Sequence, residues 1–137
     1  MSAAPREILA SAQKIRDSQK DEAGHRAAIS RSYYAAYHAA RIFHDSLGSP
    51  GSVGGEGGVH AQLVARLLIP TIPSTDPKHL ISRRVGYMLR DMHRSRITAD
   101  YEIDAVVIDA DAESTMRKGA DVITMCTPPV PVVAAAT

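Results

Sequence analysis

Apolar and polar positions along this chain recur with the period of a helix rather than of a strand. The clearest case is the stretch around SRSYYAAYHAARIFHDSL. Ile29, Tyr33, Ala36, Ala40, Phe43 and Leu47 follow one another at steps of four and three residues, which puts them on one helical face and predicts a core-facing seam. Arg31, Tyr34, His38, Arg41 and Asp45 keep the same steps and form a polar stripe beside it. Asp21 is placed to cap this helix, predicted over about residues 22–47, and Glu22 suits its positive end.

The same reading gives four further helices. Pro5 fits a first turn, and Ile8, Leu9, Ala12 and Ile15 give residues 6–20 a modest apolar face. The stretch GSPGSVGGEGGV, beginning at Gly48, holds six glycines and a proline and predicts a loop. It lacks the Gly-Lys-Ser/Thr ending and preceding strand of a phosphate-cradling loop. Residues 60–69 return to helix, with Leu63, Val64 and Leu67 inward, until Pro70 and Pro73 end it. Asp76 and Pro77 open a fourth helix with Ile81, Val85, Met88 and Met92 as its seam, and Gly86 permits a close helix contact. TADYEIDAVV breaks the pattern from Thr98. A last helix, about residues 109–125, turns Ala112, Met116, Ala120 and Ile123 inward. The expected architecture is all-α, an antiparallel bundle of about five helices spanning residues 5–126. Residues 127–137 are expected to form a Pro-rich, disordered tail.

Composition agrees with helices. Alanine dominates the apolar content, with no Trp and one Phe among 137 residues, which favours close helix packing over a sheet. One cysteine, Cys126, excludes an internal disulfide and reads as a passive thiol. No apolar run reaches the length of a membrane span, and no signal-peptide core opens the chain, so a cytoplasmic protein without a membrane partner is expected.

Charge changes the picture locally. The chain carries only +1, yet residues 78–96 hold Lys78, Arg83, Arg84, Arg90, Arg94 and Arg96 against Asp91, a local +5. A basic ridge of this kind attracts phosphate. No nucleophile elbow is visible, the six histidines contain no His-x-x-x-His pair, and neither a metal nor another cofactor is expected. Metal-independent RNA cleavage would need a base for the 2′-hydroxyl, an acid for the leaving oxygen and a cation for the transition state. Arg31 and His38 offer two such groups seven residues apart, although twelve arginines and six histidines make a pair of this spacing expected by chance.

Residues 31–41, RSYYAAYHAAR, resemble the R-x-Y-Y-A-A-F-H-A-A-R core of the small helical domains called HEPN (higher eukaryotes and prokaryotes nucleotide-binding). His60, after the glycine loop, resembles the S/T-H-x-G segment of that family, and RITADY, from Arg96 to Tyr101, resembles its R-x-x-A-D-Y element. The likeness runs from about residue 7 to 125. It implies a five-helix, HEPN-like bundle that commonly forms a homodimer. Many members are ribonuclease toxins paired with a nucleotidyltransferase-like antitoxin protein; others are non-catalytic modules that bind nucleotide or a protein partner. Catalytic members carry Arg, four to six residues, then His in a late helix. Here Tyr101 stands at that His position, and a Tyr with an ordinary pKa near 10 is a poor base at neutral pH.

The resulting expectation is a HEPN-like protein acting on RNA, as a metal-independent endoribonuclease toxin of a toxin–antitoxin pair or as a non-catalytic binding module. Arg31, His38, Arg96 and Tyr101 are the catalytic candidates. Arg90, Arg94, Arg41 and Tyr34 are the phosphate- or RNA-binding candidates, and Tyr33, Asp100 and His60 are assigned structural roles.

Overall fold

The structure, a computed structural model, describes residues 3–48, 51 and 57–128. Within them five helices occur and no strand: α1 (Pro5–Ser18), α2 (Glu22–Ser46), α3 (Val59–Leu68), α4 (Pro77–Tyr101) and α5 (Asp109–Cys126). The bundle expected from the periodicity is therefore present. Most of the Gly-rich loop and of the expected tail lie outside the described residues. The loop's described ends, Gly48 and Gly58, sit at φ +68° and +89°, backbone positions that suit glycine alone.

Helix α2 lies at the centre and packs against α1, α4 and α5, while α3 packs on α4. Its predicted seam is the core: Ile29, Tyr33, Ala36, Ala40 and Phe43 are all buried, and they meet Leu63, Leu67, Val85, Leu89, Met92 and Val122 directly or through neighbours. Ala35 and Ala39 form a second contact face with Ile123, Ile8 and Leu9. Small side chains there let three helices approach closely without a large aromatic between them. The polar stripe stays outside, with Arg31, Arg41 and Asp45 exposed.

Local chemistry sets the ends. The Asp21 carboxylate accepts from the Gly24 N–H at 2.9 Å and caps α2, and Asp76 accepts from the Lys78 N–H at 2.9 Å ahead of Pro77 in α4. Gly86 is buried where α4 crosses α3, and a Cβ there would lie 2.9 Å from the Leu68 side chain. Fully buried Ser82 bonds the same two helices by donating to the Leu67 carbonyl at 2.8 Å. Arg16 grips Asp109 with two bonds of 2.9 Å, tying α1 to the start of α5.

One boundary differs from the sequence reading. TADY continues α4 to Tyr101 instead of breaking it at Thr98. Ala99 is buried with Ala28, Ile29 and Val107, and the helix end is held from outside. Arg26 of α2 donates to the carbonyls of Thr98 (3.1 Å), Ala99 (2.9 Å), Glu102 (3.1 Å) and Ala105 (2.6 Å). No basic residue lies in the last turn of α4, so Arg26 supplies both the missing donors and the positive charge that a helix C-terminus favours.

Candidate functional site

Three helices bring polar rings together above the core. Tyr33 comes from the middle of α2, His60 from the first turn of α3, and His93 and Arg96 from one face of α4. The Tyr33 hydroxyl lies 2.6 Å from His60 Nδ1. The His60 and His93 rings stack almost parallel, 8° apart in plane and 5.4 Å between centroids. Tyr33 lies 5.3 Å from the His93 ring, and Tyr37 lies 4.5 Å from that of His60. Both imidazoles are half-buried and Tyr33 is fully buried.

Burial sets the protonation states. It pushes the Tyr33 phenol well above its ordinary value, so that the hydroxyl keeps its proton. Which of the two atoms donates in this bond depends on the His60 tautomer; where the phenol donates to Nδ1, the neutral ring carries its proton on Nε2. Burial also lowers both imidazoles below their usual 6.5, with help from the neighbouring positive charges: His93 and Arg96 for His60, Arg96 for His93. The pair therefore titrates on the acid side of neutrality and can hold one proton more readily than two.

Arg96 is fixed at the edge of this cluster. Its Nε lies 2.8 Å from Asp100 Oδ2, and the guanidinium sits over the Tyr101 ring at 5.2 Å. The Nε–carboxylate approach is a charge contact without hydrogen-bond alignment, which leaves that buried nitrogen without a hydrogen-bond partner. Ser30 of α2 donates to the same Asp100 oxygen at 3.1 Å, linking α2 to the end of α4. Beyond Asp100 runs a groove of about 570 Å³ lined by Ile15, Ala27, Ser30, Arg31, Tyr34 and Asp100.

The candidates from the sequence divide accordingly. Tyr33 and His60 form one bonded pair and Arg96, Asp100 and Tyr101 a second group, with the Arg96 charge felt at His60. Arg31 and Tyr34 line the adjoining groove. His38 is half-buried between the rings of Tyr34 (6.1 Å) and Tyr37 (5.6 Å); among the described residues no hydrogen bond or ion pair joins it to Arg31 or Arg96. Arg90 is exposed over the Tyr87 ring at 5.0 Å, Arg94 is exposed farther along α4, and Arg41 lies near the α2–α3 seam. Arg83, Arg84, Arg90 and Arg94 are all exposed, and none joins an ion pair among the described residues. These four arginines of the basic ridge thus have no carboxylate in contact among the described residues, whereas Arg96 is paired with Asp100.

His93 is not legible in the sequence as a member of this cluster. Its one local signal is its place a turn before Arg96 and a turn after buried Leu89, at the polar edge of the α4 seam. Elsewhere the chemistry is structural. Glu22 and His25 do stand at a Glu-x-x-His spacing, but Glu22 binds Arg26 and His25 faces Asp109 at 3.8 Å; among the described residues no three potential ligands converge on a metal position. Burial pushes the Cys126 thiol up to about 12, which keeps it a thiol. No described helix is long and apolar enough to cross a membrane. Comparison with protein-family models, curated proteins and solved structures gives no significant match to this chain.

Proposed function

We propose that the protein is a HEPN-like protein acting on RNA, a metal-independent endoribonuclease of the toxin type, and that its working groups are His60, His93 and Arg96. The observation that carries this reading is the parallel pair of half-buried imidazoles beside a fixed arginine, at the edge of an unpaired basic ridge. Strand cleavage moves one proton off the 2′-hydroxyl and one onto the departing 5′-oxygen. One imidazole neutral and its neighbour protonated would suit those two tasks, the first as base and the second as acid. Arg96 would meet the charge that builds on the phosphorus oxygens, and Arg90 and Arg94 would hold flanking phosphates. Tyr33 orients His60 and Asp100 orients Arg96; neither needs to touch the strand.

The reading moves the acid–base work from Arg31 and His38 to the other end of the aromatic cluster. Purified protein should cleave single-stranded RNA in chelator and leave 2′,3′-cyclic phosphate ends. His93→Ala or His60→Ala should lower the rate by about 10²–10⁴, and Arg96→Ala by about 10²–10³, while His38→Ala retains most of it. Cleavage lost in His38→Ala and kept in His93→Ala would reject this assignment.

A non-catalytic module, binding nucleotide or a nucleotidyltransferase-like partner, is the second reading. Tyr101 at the position where catalytic relatives of the resembled family carry His favours it. So does the exposed apolar connection after α4, where Ile103 and Val106 face solvent and could meet a partner or a second copy. Salt-sensitive RNA or nucleotide binding without turnover would select this version.

A further inference from the structure

A second cluster of basic groups stands apart from His60 and His93. A small cavity of about 110 Å³ opens between α2 and α3, with Arg41 and His44 on one wall and Arg66 on the other. His44 is 8% exposed, and among the described residues its Nε2 is buried without a hydrogen-bond partner; the Arg66 Nε is in the same condition. Leaving two such nitrogens dry and unpaired is costly, and both belong to side chains that line the cavity. Among the described residues one carboxylate, Asp45, shares the lining, and it lies 3.4 Å from the other ring nitrogen of His44, Nδ1. Asp45 is largely exposed, so two arginines still outnumber it at the cavity. Val59, the first residue of α3, also lines the space, and that helix starts on Gly58 with no side-chain cap and no acid in its first turn. Its first N–H groups therefore also favour an anion.

We propose that this cavity is a phosphate-binding subsite, in which Arg66 and Arg41 hold the phosphate oxygens and His44 closes on them from α2. Resting on the reading above, the phosphate is one of the RNA backbone, bound beside the nucleotides that reach His60. Tyr37 links the two places, since it lines the cavity and its ring also packs on His60 at 4.5 Å.

The test uses the full chain and two probes, inorganic phosphate and a 2′-O-methyl RNA oligonucleotide that cannot be cleaved. At constant ionic strength, replacing chloride by phosphate should raise the melting temperature of the wild type. Arg66→Gln should abolish that rise, and so should Arg41→Gln, whose side chain is exposed and whose loss leaves the fold intact. In the RNA arm each variant should weaken binding several-fold and flatten the salt dependence by about 0.7 in log–log slope, the value for one single-strand phosphate contact. Equal response to phosphate and chloride, or an undiminished phosphate response in both variants, overturns the subsite. A phosphate response lost in the variants while RNA affinity stays unchanged supports the subsite for a free phosphate and overturns its place on the RNA track. RNA affinity that falls in both variants while cleavage is never seen keeps the subsite and rejects only the catalytic reading.

Discussion

Removing Arg26 should unravel the end of the helix that carries Arg96. The side chain is 17% exposed and donates to four carbonyls at 3.1 Å or less, three of them in part-buried surroundings. In Arg26→Ala the Glu102 carbonyl is exposed enough for water to replace its donor, whereas those of Thr98, Ala99 and Ala105 are partly shielded. At about 1 kcal/mol for each shielded bond, and with up to about 1 kcal/mol for the charge at the helix end, the loss should be about 2–4 kcal/mol. Arg26→Lys keeps the charge but not the planar fork that reaches several carbonyls at once, so it should recover less than half. Urea unfolding followed by circular dichroism measures both, and an unchanged m value would show that the difference lies in stability. Amide exchange should quicken first from Thr98 to Ala105. A variant within 0.5 kcal/mol of the wild type, or a lysine as good as arginine, would refute the reasoning.

Other consequences are as specific. Because His60 and His93 have folded values below 6.5, the folded protein binds fewer protons than the unfolded chain just below neutrality. Their contribution is therefore full above 6.5 and is lost as pH falls through the folded values; a His60→Gln/His93→Gln double variant should lose stability less steeply between pH 7 and 5, as read by urea midpoints. Tyr33→Phe strips His60 Nδ1 of its partner, which should cost about 1–2 kcal/mol and let the ring populate both neutral tautomers in ¹⁵N spectra. Gly24→Ala would set a Cβ 2.0 Å from the Gln19 carbonyl oxygen. The turn between α1 and α2 must then open, so thermal melts should show a loss of about 1–3 kcal/mol despite the better helix former.

The core was legible because periodicity is local. Ile29 to Phe43 announce their face by their spacing alone, and Asp21 and Asp76 cap the helices they immediately precede. The end of α4 was not, since its stabilising group, Arg26, stands 72 to 79 residues earlier and no window of sequence contains both. The candidate site was half legible for the same reason. Arg96 and Asp100 are one helical turn apart and can be paired from spacing alone, and His60 stands out by its place after the glycine loop. What makes His60 chemically interesting is His93, and only the packing of α3 against α4 stacks those rings. Arg31 and His38 drew attention because they share a helix, yet a seven-residue separation on one helix is two turns of distance. Proximity in chemistry came instead from three different helices.

The most direct test of the central claim, that the working site is His60–His93–Arg96, is a ¹⁵N-imidazole NMR titration with the 2′-O-methyl RNA oligonucleotide. His60 and His93 should shift together and saturate at one RNA affinity, while His38 stays where it is; in Arg96→Ala the paired shifts should weaken. Movement of His38 with His60 and His93 unmoved would contradict the account.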